Sequence, residues 1–259
     1  LAANCIGPLG VAKNVITVGG MNGSTGIGGF SSYGPTIDGR IKPDLMAHGV
    51  GLLSLASANT TATSIKSGTS MAAPVVTGVV ALMLQAADTL NISMTPAAMK
   101  ALLIQTAQDV QGIDQSTEGP DYATGWGIVD SQAAVDLLQE DGLAQATLSG
   151  TGVANAWAQT FYVPAGQTEI HVTLVWDDPV PAPASFAQPL VNDLDLRLIA
   201  PDATQFTPWI LGGMANPGQP AVRNGGNDSV NNVEQVSVVA PMAGFWTVQV
   251  STNPGNLPQ

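Results

Sequence analysis

Residues 64–80 read SIKSGTSMAAPVVTGVV: small hydroxyl residues around a glycine, then a methionine, a proline and an apolar run. The apolar character continues to residue 88 without a polar face, which predicts a central, buried helix over 69–88. Ser70 falls at the start of this helix, where unpaired N–H groups and the positive end of the helix dipole favour an anion forming beside a hydroxyl. Ser70 is therefore a candidate nucleophile; the alternative is an ordinary Ser/Thr N-cap before a core helix.

Two neighbours of this serine have physical roles. Gly68 lacks a side chain and lets another chain approach closely, as a substrate must. Pro74 is predicted to lie in the first turn, where its missing N–H has no consequence because that turn has no intrahelical partners.

The chain has 259 residues, 45% of them hydrophobic, and a formal net charge of −12 from 19 acids and 7 bases. This composition predicts one large or two ordinary globular domains. The acidic balance, without any basic stripe, argues against nucleic acid as a partner. A single cysteine, Cys5, excludes an intrachain disulfide. The chain begins at Leu1 with neither a start methionine nor a signal peptide, which indicates processing or a piece of a longer protein.

No membrane association is predicted. The longest apolar run, near residues 71–84, contains Pro74 and Gly78. It therefore falls short of the roughly 18 uninterrupted apolar residues that a bilayer span requires.

Strand-like and helical segments alternate over residues 1–141, which predicts an α/β domain with a mostly parallel sheet around a buried helix. NVITVGG at 14–20 is typical of a strand. A helix is predicted in TPAAMKALLIQTA, where Thr95 is the N-cap and Pro96 the first helical residue. Another is predicted in DSQAAVDLLQED, capped by Asp130 or Ser131.

Helical periodicity disappears over residues 142–259. Short strand-like runs alternate there with Gly, Pro, Asn and Asp turns: AWAQTFYV, EIHVTLVW, DLDLRLIA, VEQVSVVA and GFWTVQVS. This pattern predicts an all-β antiparallel sandwich or jelly roll. The long loop at 207–232, rich in Gly, Asn and Pro, suggests a functional or metal-ordered segment.

The serine segment GTSMAAPVVTGVVALML closely resembles the active-site motif of the subtilisin-like serine proteases. FSSYGPTIDGRIKPDLMAHGV (30–50) and GWGIVDSQAAV (125–135) are similar to segments of the same family in the same order. TLVWDDP, LVNDLDLRLIAPD and NNVEQVSVVAPMAGFWTVQV resemble the C-terminal β-sandwich of a secreted, alkaline branch of that family.

The resemblance implies a secreted serine endopeptidase acting on protein or peptide substrates. Ser70 would be the nucleophile of an Asp-His-Ser triad and its backbone N–H an oxyanion-hole donor. Gly68 and Thr69 would line the approach of the substrate.

The family's triad runs Asp, His, Ser along the chain, and the residues before Ser70 offer poor partners. Asp38, Asp44 and His48 lie outside the glycine-flanked contexts that the family uses. His48, which stands where the family usually has proline, is more simply a solvated turn residue. Asn4 lies too close to the following strand to be assigned as the oxyanion-hole asparagine.

The other histidine, His171, is expected in a sandwich strand. The chain is therefore interpreted as the C-terminal half of a protease, inactive alone, with the missing N-terminal half as its partner.

Carboxylates in the second part suggest a metal site. In NDLDLRL the leucines point to one side of a strand, whereas Asp193, Asp195 and Arg197 point to the other, which places the two aspartates about 7 Å apart. Asp177 and Asp178 follow a neighbouring strand, so these four aspartates are candidate ligands for a structural Ca²⁺. The alternative is a solvated face balanced by Arg197.

A second functional class also fits the sequence. The chain would then be non-catalytic, its β-sandwich a binding or structural module and its serine motif a relic of the fold. Asp and His motifs encoded ahead of Leu1 would favour the enzyme.

Overall fold

The computed structural model describes residues 5–23, 26–57, 59–109, 118–140, 156–181 and 190–252. Helices and strands alternate in the first part of the chain, in the order β1 (Val18–Asn22), β2 (Gly26–Ile27), β3 (Leu45–His48), β4 (Leu52–Leu55), β5 (Thr63–Lys66), α1 (Thr69–Leu90), α2 (Pro96–Gln105) and α3 (Ser131–Gln139).

Strands β1 and β3 run parallel, and β2 adds two antiparallel residues on the other side of β1. A parallel bridge from Met46 to Ile128 continues the sheet beyond β3. The strand predicted over 14–20 begins later, at Val18, and extends to Asn22. The described residues thus combine helices with a small sheet, as the sequence predicts, although one of the two strand pairs in this sheet is antiparallel.

Helix α1 packs on this sheet and on α3 through one face only, formed by Ala72, Val76, Val79, Met83 and Ala87. These residues repeat every three or four positions, as a single stripe of a helix does. On the other side Leu82 and Leu84 are about half exposed, at 52% and 50%. The prediction of a helix buried all round is therefore wrong for this chain, because the described residues cover one side of it.

Pro74 and Gly78 do not interrupt α1, which runs for 22 residues. Its apolar window has a mean hydropathy of 1.7, so by length and composition it could cross a membrane. The prediction that no apolar segment is long enough to span a bilayer is therefore wrong. The core helix of a soluble protein passes the same test, and the buried stripe of α1 is such a core contact.

The two other helices begin where their caps predict. The Thr95 hydroxyl accepts a hydrogen bond from the Ala98 N–H at 3.1 Å, and Pro96 is the first helical residue. The Asp130 carboxylate accepts from the Ala133 N–H at 3.0 Å, which identifies Asp130 and not Ser131 as the cap of α3.

From residue 156 onward the described chain forms β6 (Ala156–Val163), β7 (Glu169–Val175), β8 (Leu194–Ile199), β9 (Gln205–Phe206), a short 3-10 helix (Gly213–Ala215), β10 (Val233–Val239) and β11 (Gly244–Thr252). The four-stranded sheet has the order β6-β11-β8-β9, and β7 pairs with β10. All pairs are antiparallel. Trp246, Leu196 and Leu198 lie in a second apolar core. The domain boundary predicted near residue 142 falls outside the described residues and stays a prediction.

Candidate active site

Ser70 is the second residue of α1, and its side chain is exposed. The first backbone donors of the helix that find a partner are the N–H groups of Met71 and Ala72, which both bond to the Gly68 carbonyl oxygen. Among the described residues the N–H groups of Thr69 and Ser70 have no hydrogen-bond acceptor. The hydroxyl therefore stands beside two uncommitted donors at the positive end of a helix, where an oxyanion would be stabilised.

Two glycines hold this turn in place. Gly68 has φ 156° and ψ 163°, a conformation that is essentially restricted to glycine. Its N–H donates to the Gly49 carbonyl oxygen at 2.8 Å. A Cβ on Gly49 would lie 2.9 Å from the Gly68 carbonyl oxygen and 3.4 Å from the Ala72 Cβ. The end of β3 can therefore pack against the start of α1 only because residue 49 has no side chain.

Pro74 is the sixth residue of α1, not part of its first turn as predicted. The bond that it removes is the one that residue 74 would donate to the Ser70 carbonyl oxygen, four residues earlier. The helix tolerates this loss, and the carbonyl oxygen of the candidate nucleophile has no i+4 donor.

His48 ends β3 one residue before Gly49, so the chain places it in the same corner as Ser70. Its side chain is exposed, and no hydrogen bond joins it to Ser70 in the described part of the chain. His171, the other histidine, lies on β7 in the second part, as predicted, 3.2 Å from the Glu169 carboxylate. In the described structure neither histidine is hydrogen-bonded to the serine.

The two upstream aspartates are engaged elsewhere. Asp38 bonds to the Thr36 hydroxyl and, at 2.9 Å, to the Arg40 guanidinium. Asp44 is buried and paired with Lys42 at 2.6 Å and Lys100 at 2.7 Å. These contacts leave neither carboxylate available to orient a catalytic histidine.

Strands β4 and β5 form a hairpin that leads directly into the serine turn. Leu52 pairs with Lys66, and Leu53 with Ile65. The Ser67 hydroxyl accepts from the Gly51 N–H at 2.9 Å, which closes the base of the hairpin. The position of the hairpin relative to Ser70 is thereby fixed.

The segment around Ser70 is also the part of the sequence that matches known proteins. The sequence profile described as the subtilase family matches residues 5–127, which contain the whole corner around Ser70. Residues 5–127 belong to the subtilase family.

Individual proteins are similar to parts of this chain. Serine protease AprX of Bacillus subtilis is 37% identical over 113 residues, 36% of this chain and 25% of AprX. The extracellular basic protease of Dichelobacter nodosus is 33% identical over 134 residues, 50% of this chain and 20% of that protein. The structure of the prenylagaramide maturation protease PagA aligns with a TM-score of 0.44 at 24% identity, over 52% of this chain and 46% of that one. This chain thus spans a quarter or less of the two curated relatives.

The four aspartates predicted as calcium ligands are not brought together in this chain. Asp177 is exposed. Asp178 is buried, and its oxygens bond to the Lys13 ammonium and to the N–H groups of Val191 and Asn192. Asp178 therefore ties the second part of the chain to the first, and it does not fit a metal ligand.

Asp193 and Asp195 are buried, which rules out the solvated face that was the alternative to a metal site. Arg197 bonds to the Leu196 carbonyl oxygen and to Asn227, and it forms no ion pair with Asp195 within the described ranges. Burial raises the pKa of Asp195, and Arg197 only partly opposes it.

Two further acids lie in the same region: Asp228, which belongs to the 207–232 loop already suggested as a metal-ordered segment, and Glu234, which was missed from the sequence. Burial, and then the charge of Asp228, raise the pKa of Glu234 well above its usual value. One oxygen of Glu234 accepts from the Leu196 N–H at 2.6 Å. The other, Oε1, and Oδ1 of Asp195 are buried without a hydrogen-bond partner. In the sequence the only sign of a buried acid was Glu234, a charged residue inside the strand-like run VEQVSVV.

Proposed function

We propose that this chain carries the nucleophile of a subtilisin-like serine endopeptidase that hydrolyses peptide bonds in protein or peptide substrates. The observation that supports this most is the exposed Ser70 beside two uncommitted N–H groups at the start of α1, inside the segment of the subtilase match. The hydroxyl attacks the peptide carbonyl, and the Ser70 N–H stabilises the oxyanion that forms. A non-catalytic role is not favoured by relatives whose names are those of proteases.

The base that activates Ser70 is proposed to come from a separate segment of the same protease. The chain contains two histidines, and neither forms a hydrogen bond with Ser70 among the described residues. Without a base a serine hydroxyl is a weak nucleophile near neutral pH. We therefore expect this chain alone to be inactive and to gain activity with an N-terminal half that supplies Asp and His.

A fluorophosphonate probe tests this directly, because it modifies only an activated serine. It is expected to label Ser70 when the N-terminal half is present and not in the chain alone, and Ser70→Ala should abolish labelling. Thr89→Ala, which removes an exposed hydroxyl from the other end of the same helix, is a matched control. Labelling of the isolated chain would contradict the proposal of a separate base and direct attention to His48.

The uncovered side of α1 is the proposed contact for that N-terminal half. Leu82, Leu84 and Leu90 are 52%, 50% and 41% exposed on a helix whose opposite stripe is buried. Burying a leucine side chain contributes about 1.5–3 kcal/mol, so three of them favour association. Leu84→Arg should weaken co-purification of the two halves, whereas Gln85→Arg, at an exposed polar neighbour, should not. Equal retention of the N-terminal half by both variants would sink this contact.

Secretion, and a stabilising β-sandwich formed by residues 142–259, complete the proposal. The two antiparallel sheets around the core of Trp246 and Leu196 support the sandwich. The printed name of the Dichelobacter nodosus relative supports secretion. Detection of the mature protein in the culture medium of its source organism tests the latter.

A structural Ca²⁺ is proposed only for the buried acids of the second part. The unpartnered oxygens of Asp195 and Glu234 fit a cation, with Asp193 nearby in sequence, whereas Asp177 and Asp178 do not. No group of three or more Asp, Glu, His or Cys side chains in the described residues has the arrangement of a metal site. Any ion held there would therefore need backbone, amide or water oxygens as well.

Melting experiments test the calcium proposal. Binding to the folded state alone stabilises it by about 2.7 kcal/mol when the ion is at one hundred times its dissociation constant. Chelator should then lower the melting temperature and increase proteolytic nicking in 207–232, and Asp195→Asn should weaken both responses. Magnesium should substitute poorly, since it requires a tighter octahedral shell. A melt that is indifferent to excess chelator would refute calcium binding.

A further inference from the structure

The distribution of positive charge around Ser70 carries an inference about substrates, which rests on the proposed function. Between Asp44 and Asp88 the sequence contains one charged residue, Lys66, apart from His48. Lys66 ends β5 and is exposed. It stands four residues before the candidate nucleophile.

The other six basic side chains of the protein are all engaged. Four form ion pairs with aspartates, namely Lys13 with Asp178, Arg40 with Asp38, and Lys42 and Lys100 with Asp44. Arg223 pairs with Glu118 and lies over the Trp209 ring, and Arg197 bonds to Asn227. Lys66 is the one basic residue with no ion pair or hydrogen bond from its side chain in the described structure.

The hairpin fixes the backbone position of Lys66 relative to Ser70. Gly51 N–H bonds to the Ser67 hydroxyl at 2.9 Å, and Gly68 N–H bonds to the Gly49 carbonyl oxygen at 2.8 Å, so both sides of the connection are held. Four residues span at most about 14 Å, which bounds the distance from the Cα of Lys66 to that of Ser70. An extended peptide advances about 3.4 Å per residue, so the ammonium group can reach side chains within a few residues of the bond that Ser70 attacks.

The two faces of the hairpin differ in character. Alternation along the strands puts Lys66 on the face of Leu52, Ser54 and Ser64, while Leu53, Leu55 and Ile65 share the other face. Lys66 is therefore the only charged residue on its face of the hairpin, and Ser54 and Ser64 add hydroxyl groups to that face. A peptide carboxylate lying there would meet a cation, with no acidic residue of the hairpin to compete for it.

We propose that Lys66 is a specificity-determining residue that favours peptide substrates with an acidic side chain within a few residues of the scissile bond. The protein as a whole has a net charge of −12 and repels acidic peptides at long range. A preference for an acidic residue at one substrate position is therefore a local property of Lys66.

Isosteric substrates test the proposal in the full-length protease that contains this chain. Peptide pairs that differ by Asp against Asn at one position, scanned across both sides of the cleaved bond, give a ratio of kcat/KM values at pH 8. The wild-type ratio is expected to peak at one position at about fivefold in favour of Asp, the value of a partly exposed ion pair of about 1 kcal/mol. Raising the salt from 0.1 to 1 M should reduce it, because the screening length falls from about 10 to about 3 Å.

Three substitutions separate charge from shape. Lys66→Gln should bring the Asp/Asn ratio close to one, Lys66→Glu should invert it, and Lys66→Arg should retain it. Fluorophosphonate labelling of Ser70 is measured in parallel, because this probe carries no peptide side chains. Intact labelling with a ratio that does not respond to these substitutions overturns the role of Lys66 alone. If the probe does not label Ser70 in the wild-type protease, the proposed function is overturned, and the specificity inference with it.

Discussion

The carboxylate of Asp44 lies 2.7 Å from the ammonium group of Lys100, with both side chains almost completely buried. The other oxygen of Asp44 bonds to Lys42 at 2.6 Å and to the Thr17 N–H at 2.7 Å. Asp44 is the residue just before β3, the strand whose end packs against the serine turn. A single carboxylate thus offsets two buried cations at the foundation of the candidate site.

Asp44→Asn should therefore be strongly destabilising. It leaves two buried ammonium groups without a counter-charge, which typically costs about 3–5 kcal/mol of unfolding free energy. Denaturant unfolding of the protease measures the change, with Asp38→Asn as a matched control because the Asp38–Arg40 pair is partly exposed. An equal loss of unfolding free energy in both variants would show that Asp44 contributes no more to stability than Asp38 does.

The same cluster predicts that the unfolding free energy rises with pH in two separate ranges, one acidic and one basic. Burial alone would raise the pKa of Asp44, but Lys100 and Lys42 outweigh it and hold the pKa below 3.8. This stabilisation is complete above pH 3.8 and is lost as the pH falls through the folded-state pKa. Acid unfolding of the wild type should accordingly be steeper below pH 3.8 than that of Asp44→Asn. Parallel acid titrations would refute this.

At high pH the slope has the same sign. Burial lowers the pKa of Lys42 from 10.5 to about 8, although Asp44 opposes the shift. Between these values the unfolded chain binds the proton more strongly, so the unfolding free energy contributed by Lys42 increases as the pH rises, by up to roughly 3 kcal/mol. Wild type should gain stability relative to Lys42→Met between pH 8 and 10. A constant difference across this range would contradict the buried, weakly basic lysine.

Gly49→Ala tests how the serine turn is held. The added methyl group would lie 2.9 Å from the Gly68 carbonyl oxygen, a backbone atom that cannot move without moving Ser70. Displacement by even a fraction of an ångström should slow fluorophosphonate labelling by about tenfold or more. Gly29→Ala, which meets no atom within 4 Å, is the control. Equal labelling rates would mean that the corner accommodates the methyl group.

Local features of the fold were predictable because they depend on neighbours along the chain. The caps Thr95 and Asp130 are where their side chains place them, and Ser70 begins its helix as the motif indicates. Which face of α1 is covered was not predictable, because a helix that is apolar all round gives no sign of the side on which the described residues will pack.

Long-range pairings were the other failure. Asp178 bonds to Lys13 across 165 positions of sequence, and Glu234 bonds to Leu196 across 38. Neither separation leaves a periodic signal. The calcium prediction therefore grouped Asp178 with its neighbour Asp177, although packing assigns the first to a pair with Lys13 and the second to solvent.

These adjacent aspartates provide the last prediction. Asp178 accepts from Lys13 and from the N–H groups of Val191 and Asn192, and Asn14 bonds to its backbone, so it joins the two parts of the chain. Asp178→Asn removes the charge from a buried pair and should lower the unfolding free energy by about 3 kcal/mol or more. Asp177→Asn, at an exposed position, should change it by less than about 0.5 kcal/mol. Thermal melts of both variants, with chelator and without, measure these effects. If Asp178 acts through Lys13, Asp178→Asn lowers the stability equally with and without chelator, and Lys13→Met has the same effect. A loss of stability that appears only when calcium is present would instead identify Asp178 as a metal ligand.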